Sequence, residues 1–146
     1  MKKIFIASLM AIAVSVSAFA ADTKVSSAVR TRFSMDFDGA TNVEWKATAE
    51  YAKASFTLEG KKFEAFYNTQ GELIATGTKI SMEKLPKRAS LLIEKKYAGY
   101  AIKEAVAITD AESVTRQYVS LEDSATKIVL EINAAGDVSV FSKTKK

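Results

Sequence analysis

The chain has 146 residues, 48% of them hydrophobic and 26% charged, and it contains neither cysteine nor histidine. That is ample material for a packed core. It excludes disulfide staples, thiolate chemistry, zinc centres built on nitrogen and sulfur, and the commonest general base.

The first twenty residues read as a targeting segment. Lys2 and Lys3 precede an apolar run, Ile4 to Val16, that is shorter than a comfortable membrane span. Ala18-Phe19-Ala20 then has the A-x-A form of a signal-peptidase site. The expectation is a signal peptide over 1–20 cut between Ala20 and Ala21, and a soluble periplasmic product; the alternative is a retained N-terminal anchor. Cleavage removes Lys2 and Lys3 and takes the net charge from +4 to +2, too slight a bias for a nucleic-acid binder. No cysteine is present to carry a lipid, and no later stretch is long and apolar enough to span a bilayer.

From Thr23 the pattern is helical. Val25, Ala28, Val29, Phe33 and Phe37 recur at three- and four-residue spacing and form one stripe. Asp22 or Thr23 suits the N-cap, and Gly39 suits the left-handed position that ends a helix. Asn42 to Ala47 predicts a strand with Val43, Trp45 and Ala47 on one face, Trp45 packing in the core.

The stretch from Ala52 to Tyr67 organises the chain. Ala52, Ala54, Phe56 and Leu58 alternate with Tyr51, Lys53, Ser55 and Thr57, and after Glu59-Gly60 the apolar row resumes as Phe63, Ala65 and Tyr67. Two alternating runs around a glycine-containing turn predict a β-hairpin with one buried face, which needs an apolar cover. Asn68 to Gly71 predicts a turn, and Leu73 to Ile80 a strand weakened by Gly77.

After the polar link Ser81–Lys84, Pro86 fits the first turn of a second helix. Its stripe is Leu85, Ala89, Leu92, Ile93 and Tyr97, and Ala98-Gly99 ends it. Strands follow at Ile102–Ile108, Val114–Leu121 and Lys127–Ile132. Asn133 to Asp137 forms a turn, Val138–Phe141 a last strand, and Lys143 to Lys146 a fraying tail.

Val25, Val29, Phe33, Phe37 and Gly39 find counterparts 60 residues on in Leu85, Ala89, Ile93, Tyr97 and Gly99. The Asn68–Gly71 turn finds one 65 residues on, in Asn133–Gly136. The pattern predicts an α+β domain over 21–146 made of a tandem repeat, about 23–80 and 82–142. Each repeat is a helix followed by about four antiparallel strands.

Several of these segments resemble a known family. Phe37 to Trp45, Gly60 to Phe63, Asn68 to Leu73, Leu85-Pro86 and Tyr97 to Tyr100 are similar to the turn and packing motifs of the PepSY-like, β-lactamase-inhibitor-protein-like (BLIP-like) group of exported bacterial proteins. Asp38 and Ala98 stand where that group usually has proline. The resemblance implies a sheet with both helices on one face and the other face open and concave. It also implies protein binding rather than catalysis.

The residues point the same way. No P-loop, GxGxxG or HExxH pattern occurs, and Ser26, Ser27 and Ser90 lie on helical stretches without a histidine. A Ser-Lys pair is the remaining catalytic alternative. Asp36, Asp38 and Gly39 begin like a calcium loop, but Thr41 and Glu44 do not complete one. The expectation is a non-enzyme with no cofactor and no metal.

The outer face of the hairpin carries Tyr51, Lys53, Lys62 and Phe66, and Arg116 and Tyr118 alternate with the apolar row of a later strand. Aromatics interleaved with charges fit a protein-binding surface; an ordinary solvated sheet face with tolerated aromatics fits them too. On the binding reading, these six residues lie exposed on one open face and contact an envelope or secreted protein, an inhibited envelope enzyme being the sharpest version. The alternative function is a small-molecule or lipid carrier with an apolar groove between helices and sheet.

Overall fold

A computed structural model describes residues 25–146 of the chain. The signal-peptide segment and the expected Asp22 or Thr23 cap lie outside them. Among the described residues two α-helices, α1 (Ser27–Asp36) and α2 (Lys87–Lys96), accompany eight strands. These are β1 (Thr41–Ala47), β2 (Tyr51–Leu58), β3 (Lys61–Asn68), β4 (Leu73–Lys79), β5 (Ala101–Asp110), β6 (Thr115–Glu122), β7 (Thr126–Ile132) and β8 (Val138–Lys145). All eight form one antiparallel sheet in the order of the sequence.

This corrects the expectation of an α+β tandem repeat. Strands of seven to ten residues outweigh two ten-residue helices, so the fold is mostly β. β4 pairs directly with β5, from Ala75 opposite Asp110 to Lys79 opposite Val106, so the ladder runs through the point where one helix-plus-four-strand unit was to end. The similarity at an offset of 60 marks two helices, each with a buried pair one turn apart: Val29 and Phe33, Ala89 and Ile93. Sheet hydrogen bonding is set by backbone neighbours and does not follow it.

Local chemistry explains the element ends. Ser26 caps α1, its hydroxyl accepting the Val29 N–H at 3.3 Å. Glu59 and Gly60, both with positive φ, make the tight turn between β2 and β3 that matches strand twist. Asn68 accepts the backbone N–H groups of Gln70 and Glu72, and Asn133 does the same for Ala135 and Asp137. At Gly136 a Cβ would lie 3.1 Å from the Pro86 side chain, so this turn seats directly on the start of α2.

The register places both helices on one face of the sheet. Ala52, Ala54 and Phe56 of β2 oppose Tyr67, Ala65 and Phe63 of β3. Val29 and Phe33 pack on that row, and Phe33 meets Trp45 and Phe56 edge-on at ring distances of 5.1 and 5.0 Å. Under α2, Ala89 and Ile93 pack on Ala105, Val119, Leu121, Ile128, Leu130 and Ile132. Two stripe residues turn out exposed, Ala28 on α1 and Leu92 on α2. The tail does not fray at Lys143: β8 pairs with β7 as far as Lys145 opposite Thr126.

Candidate functional site

The face without helices carries the alternate row of every strand. Lys53 lies opposite Phe66, Phe66 opposite Ala75, Glu64 opposite Gly77 and Gly77 opposite Ile108. Further on, Ile108 lies opposite Arg116, Val106 opposite Tyr118, and Tyr118 opposite Glu131. So all six predicted contact residues lie on one face.

Their exposure differs from the expectation. Phe66 is 2% exposed, Tyr118 0% and Lys53 5%, although no helix covers them. Neighbouring strands bury them instead. Ladder irregularities between Thr41 and Glu44, Phe66 and Tyr67, Ile102 and Glu104, and Val129 and Leu130 sharpen the twist. The face thereby closes over a third apolar cluster of Ala75, Ile108, Tyr118 and Val129, with Phe141 stacked edge-on against Tyr118 at 5.4 Å. Period-two alternation assigns a residue to a face; it carries no information on how far that face folds on itself.

Beside this cluster a groove of about 490 Å³ opens across β1 to β5. Its floor includes Phe66, Gly77, Val106 and Ile108, and its walls carry Glu44, Ser55, Lys62, Glu64, Lys79 and Glu104. Gly77 leaves the floor bare in mid-strand. Of the predicted residues, Lys62 and Phe66 line the groove. Lys53 lies beneath its wall, its Nζ donating to Glu64 Oε1 at 2.9 Å. Tyr51 is half-buried and packs its ring 6.1 Å from that of Phe66, and burial raises its phenol pKa, with Glu50 adding to the effect. Gly77, Lys79, Glu104 and Val106 were not among the predicted contacts. Gly77 was legible only as a weak point in a strand.

The electrostatics of the face are mostly paired. Lys79 Nζ lies 2.7 Å from Glu104 Oε1, and that hydrogen-bonded carboxylate raises the lysine's pKa. Arg116 lies between two carboxylates, 3.4 Å from Asp110 and 4.0 Å from Glu131. The Tyr118 hydroxyl donates to Glu131 Oε2 at 2.9 Å; burial first, and this bond second, push its pKa well above the ordinary phenol value. Arg116 and Tyr118 therefore form a self-satisfied polar and aromatic cluster beside the groove. On the helix side, Asp36 takes both the Arg32 guanidinium and the Tyr67 hydroxyl, so it anchors the end of α1 to the sheet.

No protein-family model matches the sequence, and no curated protein matches it. Solved structures do. A BLIP-like protein from Bacteroides fragilis superposes with a TM-score of 0.70 at 19% identity, over 86% of this chain and 89% of that one. The fold is that of BLIP-like proteins. A DUF2874 family protein from Bacteroides uniformis matches with a TM-score of 0.72 at 14% identity, over 84% of this chain and 90% of that one. A candidate periplasmic protein from Bacteroides eggerthii matches at 0.72 and 11%, with 84% and 90% covered. None of these is a PepSY-like protein by name. Among the described residues, no helix is long and apolar enough to cross a membrane.

Proposed function

We propose that this chain is a non-catalytic periplasmic binding module of the BLIP-like kind, with the groove on the helix-free face as its contact surface. The carrying observation is that groove: an apolar floor of Phe66, Val106 and Ile108 under a wall of lysines and glutamates. An apolar centre with a polar rim is the anatomy of a protein interface. The contact residues on this reading are Lys62, Phe66, Lys79 and Glu104. Tyr51, Lys53, Arg116 and Tyr118 hold the face in shape around them. The partner is an envelope or secreted protein, and inhibition of an envelope enzyme by a loop entering the groove is the specific form. The N-terminal segment supports the location: Lys2, Lys3, the Ile4–Val16 run and Ala18-Phe19-Ala20 direct export and cleavage before Ala21.

The groove also falls within the ~300–1,000 Å³ range of small-molecule sites. A carrier would use this groove, since the space between helices and sheet is occupied by the two packed clusters under α1 and α2. Two measurements test the reading. N-terminal sequencing of exported protein should begin at Ala21, and a protein starting at Met1 refutes export with cleavage. Capture of an envelope protein by immobilised chain should fail with Lys62→Glu and Lys79→Glu combined. Capture at full strength by that variant refutes the groove as the contact surface, and a co-purifying apolar ligand with no captured protein replaces the module with the carrier.

A further inference from the structure

Among the described residues the sheet ends in two margins, β1 and β8. They differ in charge pattern. β8 carries Lys143 and Lys145 and no acid, so no antiparallel pairing of β8 with its own copy joins unlike charges. Lysines on an edge strand oppose such pairing. β1 reads Val43-Glu44-Trp45-Lys46-Ala47 over its last five residues, with an acid and a base two residues apart on the same face.

That spacing is self-complementary. A two-fold axis perpendicular to a sheet keeps each face on its own side, so it must pass beside one residue of the strand and its copy. With the axis beside Trp45, Glu44 lies opposite Lys46 of the second copy, Lys46 opposite Glu44, and Val43 opposite Ala47. Moving the axis to Glu44 or to Lys46 sets like charges against each other. The Trp45 register therefore joins unlike charges twice and is selected over its neighbours by cross-strand pairing.

The margin is shaped to receive a strand there. The ladder to β2 is regular from Glu44 to Ala47, and the irregularity is confined to the Thr41–Glu44 end. Val43 is 37% exposed, and a hollow of about 350 Å³ lined by Arg30, Phe37, Asp38, Val43 and Trp45 opens beside it on the helix side. The Arg30 guanidinium lies over the Trp45 ring at 5.7 Å, in the C-terminal half of the strand.

We propose that β1 is a self-association edge, and that two copies of this chain join β1 to β1, antiparallel about Trp45, into one continuous sheet. The interface is short, so association is weak and concentration-dependent. It draws Glu44 of the groove's wall into the seam, leaves the floor residues on β3 to β5 outside it, and does not rest on the functional reading above.

Sedimentation velocity of the purified protein over a wide concentration range tests this. The wild type should pass from monomer to dimer. Glu44→Lys or Lys46→Glu turns both unlike pairs into like pairs and should weaken the dimer about ten-fold or more. An equimolar mixture of the two variants restores both unlike pairs and should form a mixed dimer as tight as the wild type. Circular dichroism of each variant alone checks that it is folded, and the mixture's recovery would itself require folded chains. A monomer at all concentrations, single variants that associate like the wild type, or a mixture without recovery overturns the proposal. Open-ended polymers overturn it too, because they indicate head-to-tail joining of β1 to β8.

Discussion

Replacing Gly77 with valine should make the protein more stable and, at the same time, worse at binding. Gly77 sits mid-way along β4, opposite Glu64 on β3 and Ile108 on β5. Its φ is not positive, so the backbone accepts any L residue. An added Cβ would meet the Ile108 Cγ1 at 3.8 Å and the Ala107 carbonyl oxygen at 4.0 Å, ordinary van der Waals contact. The glycine therefore has no steric reason to be there. In a strand interior it costs roughly 0.5–1 kcal/mol relative to alanine through the entropy of the unfolded chain. A β-branched residue adds a further share of the ~1 kcal/mol β-propensity range. A gain of about 1 kcal/mol corresponds to a rise in melting temperature of about 4 °C for a domain of this size. The new methyl groups occupy the groove floor between Glu64 and Ile108, and phenylalanine at the same position fills more of it. Calorimetry and partner capture on the same samples read the two effects. A melting temperature several degrees below the wild type would refute the steric reasoning. Capture undiminished by Gly77→Phe would refute the groove.

Three further outcomes follow from packing and charge. Phe33→Ala removes the ring that joins α1 to Trp45, Phe56 and Tyr67 and should cost about 3–5 kcal/mol in urea melts; a loss under about 1 kcal/mol would show that α1 is held elsewhere. Lys53→Met should be near neutral, whereas Glu64→Ala leaves a buried ammonium without its carboxylate and should cost about 1–3 kcal/mol, toward the low end because Glu64 is 42% exposed; equal losses would contradict the buried-charge reasoning. The Asp110 carboxyl accepts the Val114 and Glu112 N–H groups beside Arg116, and the Val114 bond is the leading cause of its lowered pKa. A lowered folded-state pKa means that its stabilisation is present above the unfolded value of 3.8 and is lost as pH falls through the lower folded value. Asp110→Asn should therefore cost stability at neutral pH and progressively less below about pH 4, read from denaturant melts across acid pH; a pH-independent difference would contradict this.

The hairpin at Ala52–Tyr67 was legible because alternation and turn chemistry agree there: Phe56 pairs with Phe63, Ala54 with Ala65, and the turn falls at Glu59-Gly60. The two helices were legible from Val29 and Phe33 and from Ala89 and Ile93. The direct ladder between β4 and β5 was not, because Ala75–Lys79 and Val106–Asp110 carry no signal naming their partner across an intervening helix. The candidate site was half legible. Phase placed Tyr51, Lys53, Lys62, Phe66, Arg116 and Tyr118 on one face, but the burial of Phe66 and Tyr118 arises from twist and bulges, which single-strand periodicity does not encode. The groove was missed for a related reason: its floor is defined by Gly77, a side chain that is not there.

Each strand of this sheet after β1 pairs with the strand that precedes it in the chain. Contacts in such a meander are short-range in sequence for a β protein, and the widest gap is the segment from Ile80 to Tyr100 that carries α2. Loop-closure entropy is therefore small at nearly every step, and folding should be rapid compared with sandwiches built from distant strands. The two-residue turn between β2 and β3 offers the cheapest first closure, and the remaining strands can add to it one after another. A chain emerging in N-to-C order meets a ready template for each new strand, so unpaired edges persist only briefly while aggregation competes with folding.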